Sequence, residues 1–500
     1  MVRPIRTQVV VVGGGPVGML LAAELVRYGV DALVLEREAS TSKRPKATTL
    51  HARTVQTLAR RGYLPAPEPS RPSGTVSSPF HFAGIPGLRI TAPAAEPEPV
   101  LKRTQADIER LFESRARAAG ARVLREHRMV GIRQLPDRVA VLAEGPRGPV
   151  DYEADYVVGA DGARGTVREQ AGILSDTYDA SVSAMMGLVR LDDPHALSAG
   201  WHRTANGWVV VGEAADGETH IRTANFTQPG ADRGRPLSLE ELRRETSHIM
   251  GRDIAMSSPR WLSRFSDYAR LARAYRERRV LLAGDAAHLH FPIGGQGLST
   301  GLLDSLNLAW KLAATVRGSA SESLLDSYET ERRPAAERVI ANVRAQVSLM
   351  NPEVRLDSLR SLISGLLVDD RGGSHLAGMI SAQDTVLPAR SPAPSPWEGK
   401  FLQNIALTTE SGPADVISLL QEGRMLLLLF GTDAAGQHEK AARRWGCSLR
   451  VVRAEPVAVV PCEALLVRPD GYIAWASDGG GLDETLAAYL AVEGDVRSAG

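Results

Sequence analysis

Cysteine is nearly absent from this chain: Cys447 and Cys462 are the only two in 500 residues. Two cysteines build no disulfide framework, and a reducing cytoplasm is the expected setting. Charge of one sign is lacking too. A net charge of +1 leaves no basic excess for nucleic acid, and no polybasic run marks a membrane surface. Long hydrophobic runs are missing: those at 9–12 and 425–430 have the length of strands and cannot cross a bilayer. Arg3 and Arg6 lead directly into Val9-Val10-Val11-Val12 and glycine, so no signal-peptide core is expected. Lysine is scarce, standing only at 43, 46, 102, 311, 400 and 440, which reads as genomic composition with arginine carrying the positive charge. Five hundred residues exceed what one core organises, so two or three domains are expected. The expected partner is a small molecule, and the protein is expected to act as a monomer or homodimer.

Glycine, by contrast, is plentiful and grouped. Gly13-Gly14-Gly15-Pro16-Val17-Gly18 fits G-x-G-x-x-G, follows a β-branched strand, opens a helix, and has an acid, Glu36, about twenty residues on. Such glycines permit a tight turn and close approach of backbone to a pyrophosphate at a helix N-terminus, while the acid accepts ribose hydroxyls. Far downstream, Leu281-Leu282-Ala283-Gly284-Asp285-Ala286-Ala287-His288 reads as a buried strand ending in Gly-Asp. Pro292-Ile293-Gly294-Gly295-Gln296-Gly297 then opens a second helix, at 297–316. One glycine turn accounts for a dinucleotide; the second set implies a long, two-ended one such as FAD. A third strand ends in Asp161-Gly162-Ala163-Arg164. His288 and His290 lack a third ligand at useful spacing, so no metal site is expected.

The spacing predicts helices over 19–28, 51–61, 104–119 and 328–349, and loop with short strands over 65–99. Strand patterns dominate 175–265, and the last hundred residues alternate strand and helix. Pro388, Pro392, Pro394 and Pro396 mark a linker.

Further stretches fall into line with these. They are Leu50-His51-Ala52-Arg53-Thr54, Gln105-x-x-x-Glu109-x-x-Leu111, Thr300-Gly301-x-x-Asp304-x-x-Asn307-Leu308-x-Trp310-Lys311-Leu312, and Tyr328-x-x-Glu331-Arg332-x-Pro334. In this order the set resembles class A flavin monooxygenases, above all the aromatic polyketide hydroxylases of antibiotic pathways and the related rifampicin monooxygenases. The likeness is dense over about 1–345, and the segment from Ala464 to Trp475 is similar to the thioredoxin-like tail of that group.

The resemblance implies an α/β fold in three parts. A Rossmann-like FAD-binding domain of glutathione-reductase type would cover 1–175 and 266–345, interrupted by short strands near 76–100. An interleaved α+β substrate domain with a mainly antiparallel sheet would cover 176–265, a helix and Pro-rich linker 346–398, and a thioredoxin-like domain 399–500. It implies bound FAD, transient NADPH or NADH, and O2. The implied reaction is hydroxylation of a polycyclic aromatic substrate through a flavin C4a-hydroperoxide.

By position, Gly13, Gly15 and Gly18, with Pro16 and Val17 between them, would hold the pyrophosphate, and Glu36 with Arg37 the ribose. Gln105 and Asp285 would contact the flavin mononucleotide portion, and Asp161 would support the fold and the NADPH approach. The backbone from Pro292 to Ser299, including Gly295, Gly297 and Leu298, would line the isoalloxazine. Arg44 or Lys46 would stand in for an arginine that reaches the flavin in relatives, although lysine lacks the bidentate fork. Ser299 and Leu303 depart from the Asn and Gln common in the family.

Substrate-pocket candidates are Met185, Met186, Trp201, His202, Trp208, His220 and Phe226, with His202 or His220 as a possible base. Two alternatives stay open: Baeyer–Villiger insertion on a ketone, and a redox-silent flavoprotein that binds an intermediate. A thiol oxidoreductase is disfavoured, because Cys447 and Cys462 form no C-x-x-C.

Overall fold

Five strands run parallel at the centre of the molecule. In the computed structural model, which describes residues 3–42, 46–67, 74–214, 217–227, 235–431, 435–457, 460 and 462–490, Arg122–Arg125, Ala32–Glu36, Ile5–Val12, Gly148–Gly159 and Val280–Leu282 lie side by side in that order. Val9, Val10 and Val11 have no exposed surface, as a strand covered on both faces requires. The covering helices are Pro16–Arg27, Gln105–Ala119 and Gly297–Val316. Gly148–Gly159 is long enough to leave the parallel core and pair antiparallel with Val139–Gly145, which pairs in turn with Arg128–Gln134.

A separate five-stranded sheet is wholly antiparallel, in the order Gly200–Thr204, Gly207–Glu213, Thr219–Asn225, Ser183–Leu191, Met256–Ser266. Helix Leu239–Met250 covers one face. This helix stands where strand patterns were expected to dominate; its signal was the capping box Ser238-x-x-Glu241, in which each residue's side chain satisfies the other's amide. The region expected to be loop with short strands holds a substantial hairpin, Thr75–Phe82 with Ile85–Pro93. It packs on the helices Asp357–Val368 and Asp370–Ser381, the second of which the sequence pattern did not reveal. The helix expected from Tyr328 starts earlier and runs Glu322–Met350.

The last part is a six-stranded sheet ordered Gly412–Asp415, Ala406–Thr409, Leu449–Pro456, Met425–Leu429, Ala464–Val467, Ile473–Ala476. Only Met425–Leu429 and Leu449–Pro456 pair in parallel. It is fastened to the rest through charge as well as apolar contact. Arg468 donates to both oxygens of Glu331 at 2.8 Å and to Asp470 at 2.6 and 3.0 Å. Lys311 Nζ lies 2.7 Å from the same Glu331, and Asn307 donates to Glu331 and Asp470. All of these side chains are buried. At a second seam Arg60 pairs with Glu96 at 2.6 Å and donates to the Leu402 carbonyl, while Arg61 pairs with Glu24 and donates to the Leu420 carbonyl. Among the described residues no helix is long and apolar enough to cross a membrane.

Candidate active site

The glycine turn between Ile5–Val12 and Pro16–Arg27 is closed to side chains by backbone at two of its positions. A Cβ at Gly13, whose φ is +109°, would stand 2.3 Å from the Ala160 carbonyl oxygen, and one at Gly18 would stand 2.0 Å from the Gly13 carbonyl oxygen. Gly15 differs: no protein atom lies within 4 Å of its Cβ direction. The helix therefore starts with its amides facing open space, Pro16 occupying the first turn, where its missing N–H costs nothing. Glu36 sits at the end of the neighbouring strand, where its carboxylate accepts the Gly14 amide at 2.5 Å and the Glu38 amide at 2.7 Å.

The distant Gly-Asp segment arrives at this same turn. Gly284 and Gly301 both press on Val17; a Cβ on Gly301 would stand 2.8 Å from the Val17 methyl, and one on Gly284 3.1 Å. Ser305 donates to the Val17 carbonyl at 2.8 Å. Asp285 is thus brought beside the glycine turn, with its side chain exposed and its carbonyl accepting from Arg270.

The loop beginning at Pro292 turns through Gly294 and Gly295, with φ of +73° and +63°. His51 anchors it, its Nε2–H donating to the Gly294 carbonyl at 2.7 Å and its amide donating to Ser299 Oγ at 3.1 Å. Burial pushes His51 down to about 4, against the opposing pull of that carbonyl, so the ring is neutral at pH 7. Gly297 lies under His290, and Leu298 is half-buried against the core. Three buried polar atoms around this loop have no protein partner: His51 Nδ1, His290 Nε2 and Gln296 Oε1. A cradle closed to side chains, an open helix N-terminus and unpartnered polar atoms beside a flexed glycine loop fit a dinucleotide with a polar ring at one end.

His51 is a residue whose role the sequence motif did not reveal. His51→Leu is expected to weaken FAD binding about tenfold by leaving the Gly294 carbonyl unpaired; titration of the apoprotein followed by flavin fluorescence would show it, and an unchanged affinity would refute the tether. Because the folded ring resists protonation, the unfolded chain takes up the proton first. The contribution to stability is therefore present above pH 6.5 and is lost as pH falls toward about 4.

Asp304 was also visible only as a motif letter. Its carboxylate receives the Gly284 amide at 3.0 Å, His288 Nε2 at 2.7 Å and Arg332 Nε at 2.8 Å. Burial alone would raise this carboxyl, but His288 and Arg332 hold it below its usual range. His288 is thereby committed to shaping the Gly284 turn.

The remaining expected residues lie around the rim. Arg37 is exposed and pairs with Glu38 at 3.5 Å. Lys46 is exposed, and its charge reaches Glu109, which burial pushes up to about 7 against Arg125 and Lys46. Arg44 lies outside the described residues. Gln105 begins its helix half-buried, its amide bonded to the Ala47 carbonyl. Asp161 caps a helical turn, accepting the amides of Thr166 and Val167 at 2.7 and 3.0 Å.

The five-stranded sheet presents its other face toward the Pro292 loop. Residues directly opposite across antiparallel strands share a face. Trp208, Ala224, Ala184 and Phe265 form one such row, and Phe265 stacks on Phe291 at 5.5 Å. Trp201, Val210, Arg222 and Met186 form the next, with Trp201 against His81 at 4.7 Å. Gly212, His220 and Leu188 form the third. His202 and Met185 fall on the opposite face. His202 is opposite Val209, which packs under helix Leu239–Met250, and its Nε2 meets the Ser198 carbonyl. Strand parity therefore places the two alternative base candidates, His202 and His220, on opposite faces of the sheet. Phe226 lies half-buried beside the first row.

Comparison with known proteins agrees with this geometry. A family model described as an FAD binding domain matches residues 6–343, and one described as the C-terminal part of aromatic-ring hydroxylases matches 395–492. The chain is 38% identical over 489 residues to a 12-dehydrotetracycline 5-monooxygenase/anhydrotetracycline 6-monooxygenase of Streptomyces rimosus, covering 94% of this chain and 95% of the relative. It is 35% identical over 485 residues to a dialkyldecalin synthase of Streptomyces rugosporus, covering 96% and 98%. The crystal structure of CabE, an aromatic hydroxylase from angucycline biosynthesis, superposes with a TM-score of 0.88 at 34% identity, covering 97% of this chain and 99% of that one. The chain belongs to the FAD-binding aromatic-ring hydroxylases, a monooxygenase family of mixed α/β fold.

Proposed function

We propose that this protein is an NAD(P)H-consuming hydroxylase of a polycyclic, polyketide-like aromatic substrate. The observation that carries the reading is convergence: the Gly13 turn, the Gly284-Asp285 segment and the Pro292 loop meet around Val17 and His51 and face a sheet wall rich in aromatic side chains. In this reading Gly13, Gly15 and Gly18 hold the pyrophosphate of FAD, Glu36 and Arg37 the ribose, and Gln105 and Asp285 the flavin mononucleotide end. Lys46 assists at the rim, Asp161 supports the approach of the nicotinamide, and the backbone from Pro292 to Ser299 lines the ring. FAD, when bound, supplies hydride acceptance from NADPH or NADH and the activation of O2. The chain supplies position and dryness: the sheet wall and the 75–93 hairpin keep water from the reacting ring and hold it in register.

The domain boundaries follow the same reading, with FAD bound by 1–175 and 266–345 and substrate by 176–265. The six-stranded tail is read as thioredoxin-like in topology and structural in role. Burial pushes the Cys462 thiol up to about 11, which is the reverse of a reactive cysteine. The test is oxidation of NADPH by the holoprotein with candidate polycyclic aromatics, with oxygen uptake and peroxide leakage followed together. The expected result is a compound that accelerates oxidation without leakage and gains one oxygen atom.

The likeness to a dialkyldecalin synthase favours a second reading, that of a flavoprotein which shapes its substrate without redox turnover. Holoprotein that binds the aromatics yet leaves NADPH untouched would establish that one instead.

A further inference from the structure

We propose that Arg222 is the specificity-determining residue of the substrate wall and that it selects polycyclic aromatics carrying an ionised oxygen, a carboxylate or acidic enolate. This rests on the reading of the sheet face as the substrate site. Arg222 stands in the row Trp201, Val210, Arg222, Met186, one row beyond the one that reaches Phe291 through Phe265. Among the described residues it has neither hydrogen-bond nor ion-pair partner, although almost every other partly buried arginine in this chain has one. The carboxylate nearest along its own strand, Glu218, is paired with Arg260 at 3.1 Å. Gly212 in the third row leaves room for the guanidinium, whose Nη1 lies 3.9 Å from where a Cβ would stand. His220, beside it on the same face, also has a buried ring nitrogen, Nδ1, without a partner.

A partly buried guanidinium with nothing to neutralise it is costly to keep. Its five donors in a planar fork match the two oxygens of a carboxylate or of an ionised 1,3-dicarbonyl, and the flanking Val210 and Met186, with Trp201 beyond Val210, supply apolar surface for rings. The acidic oxygen would then sit at the end of the ligand farther from the Pro292 loop, leaving the electron-rich ring nearer the flavin.

The probes are 3-hydroxy-2-naphthoate and 2-naphthol, which differ by the carboxylate, titrated calorimetrically into FAD-loaded protein. Wild type is expected to prefer the naphthoate by at least about tenfold, in line with one charge-assisted fork. Arg222→Met is expected to abolish that preference while leaving 2-naphthol binding within about twofold, and Arg222→Lys to retain part of it. Arg222→Met is also expected to melt no lower than wild type, since it removes an uncompensated charge. Arg260→Met, on the exposed outer pair, is expected to keep the preference. If Arg222→Met loses its flavin, Arg222→Gln replaces it. Equal preference in wild type and variant overturns the assignment to Arg222 and leaves the hydroxylase reading intact. Failure of both probes to bind wild type overturns the assignment and the substrate wall together.

Discussion

Gly18→Val is expected to purify colourless. The Cβ it adds would meet the Gly13 carbonyl oxygen at 2.0 Å, and that oxygen belongs to backbone fixed on all sides. The Gly13 amide donates to the Leu35 carbonyl at 2.8 Å, and Ala160 blocks the other side of the turn. Relief therefore has to come from moving the helix Pro16–Arg27 away from the strand before it, which takes its N-terminal amides off their target. Loss of affinity for FAD by at least about a hundredfold, roughly 2.7 kcal/mol, is expected, together with a lowered melting temperature of the apoprotein. Gly15→Ala is the informative contrast. Its Cβ meets no protein atom within 4 Å, so the apoprotein should melt as wild type does, and any loss of flavin reports the ligand alone. A Gly18→Val protein that stays yellow and binds FAD normally would refute the assignment of this turn to the cofactor.

The second large effect is expected far from the glycines. Arg468→Met leaves Glu331 and Asp470 buried with their principal cation gone, and removing one partner of a buried ionic cluster typically destabilises by about 3–5 kcal/mol. Denaturant unfolding followed by the fluorescence of Trp310 and Trp475, both at this seam, should show the tail separating first. Arg468→Met combined with Glu331→Gln should recover part of the loss, because the orphaned charge disappears. Additive losses would mean that the two side chains do not share one network.

The same cluster gives an acid dependence. Burial alone would raise the Glu331 carboxyl, but Arg468 and Lys311 hold it far below the usual carboxylate range. The unfolded chain therefore binds its proton first as pH drops. This stabilisation is complete above about pH 5 and declines progressively below the ordinary glutamate value of about 4.3. In Arg468→Met the midpoint of acid unfolding should move to higher pH.

How much of this could be read from letters differs by kind of feature. Glycine turns are local: Gly13 to Gly18 with Glu36 at its proper distance announced a nucleotide before any coordinate, and the structure adds only why each glycine is needed. Parallel order followed from uniformly apolar strands such as 9–12. Helix 239–250 was hidden because few of its side chains are apolar, although Ser238 and Glu241 marked its start. That His202 and His220 fall on opposite faces was hidden because parity depends on where each strand starts, and the turn at Ala205 and Asn206 sets it for His202. Arg60, Arg61 and Arg468 were illegible for a deeper reason: pairing between positions 36, 37 and 137 residues apart leaves no periodic trace. Composition showed many arginines and could not say that several are interior.

Helix Glu322–Met350 carries Glu331 and Arg332 next to each other, the first holding Arg468 of the tail and the second holding Asp304 beneath the Gly284 turn. Helix Gly297–Val316 repeats the arrangement, with Asp304 serving the turn, Asn307 reaching Asp470 of the tail, and Lys311 bracing Glu331. Two stiff rods thus join the carboxy-terminal sheet to the floor under the glycines. Swapping the tail for that of a homologous hydroxylase should succeed only when its counterparts of Arg468 and Asp470 travel with it. In evolutionary terms the two ends of this polypeptide are bound to drift in step.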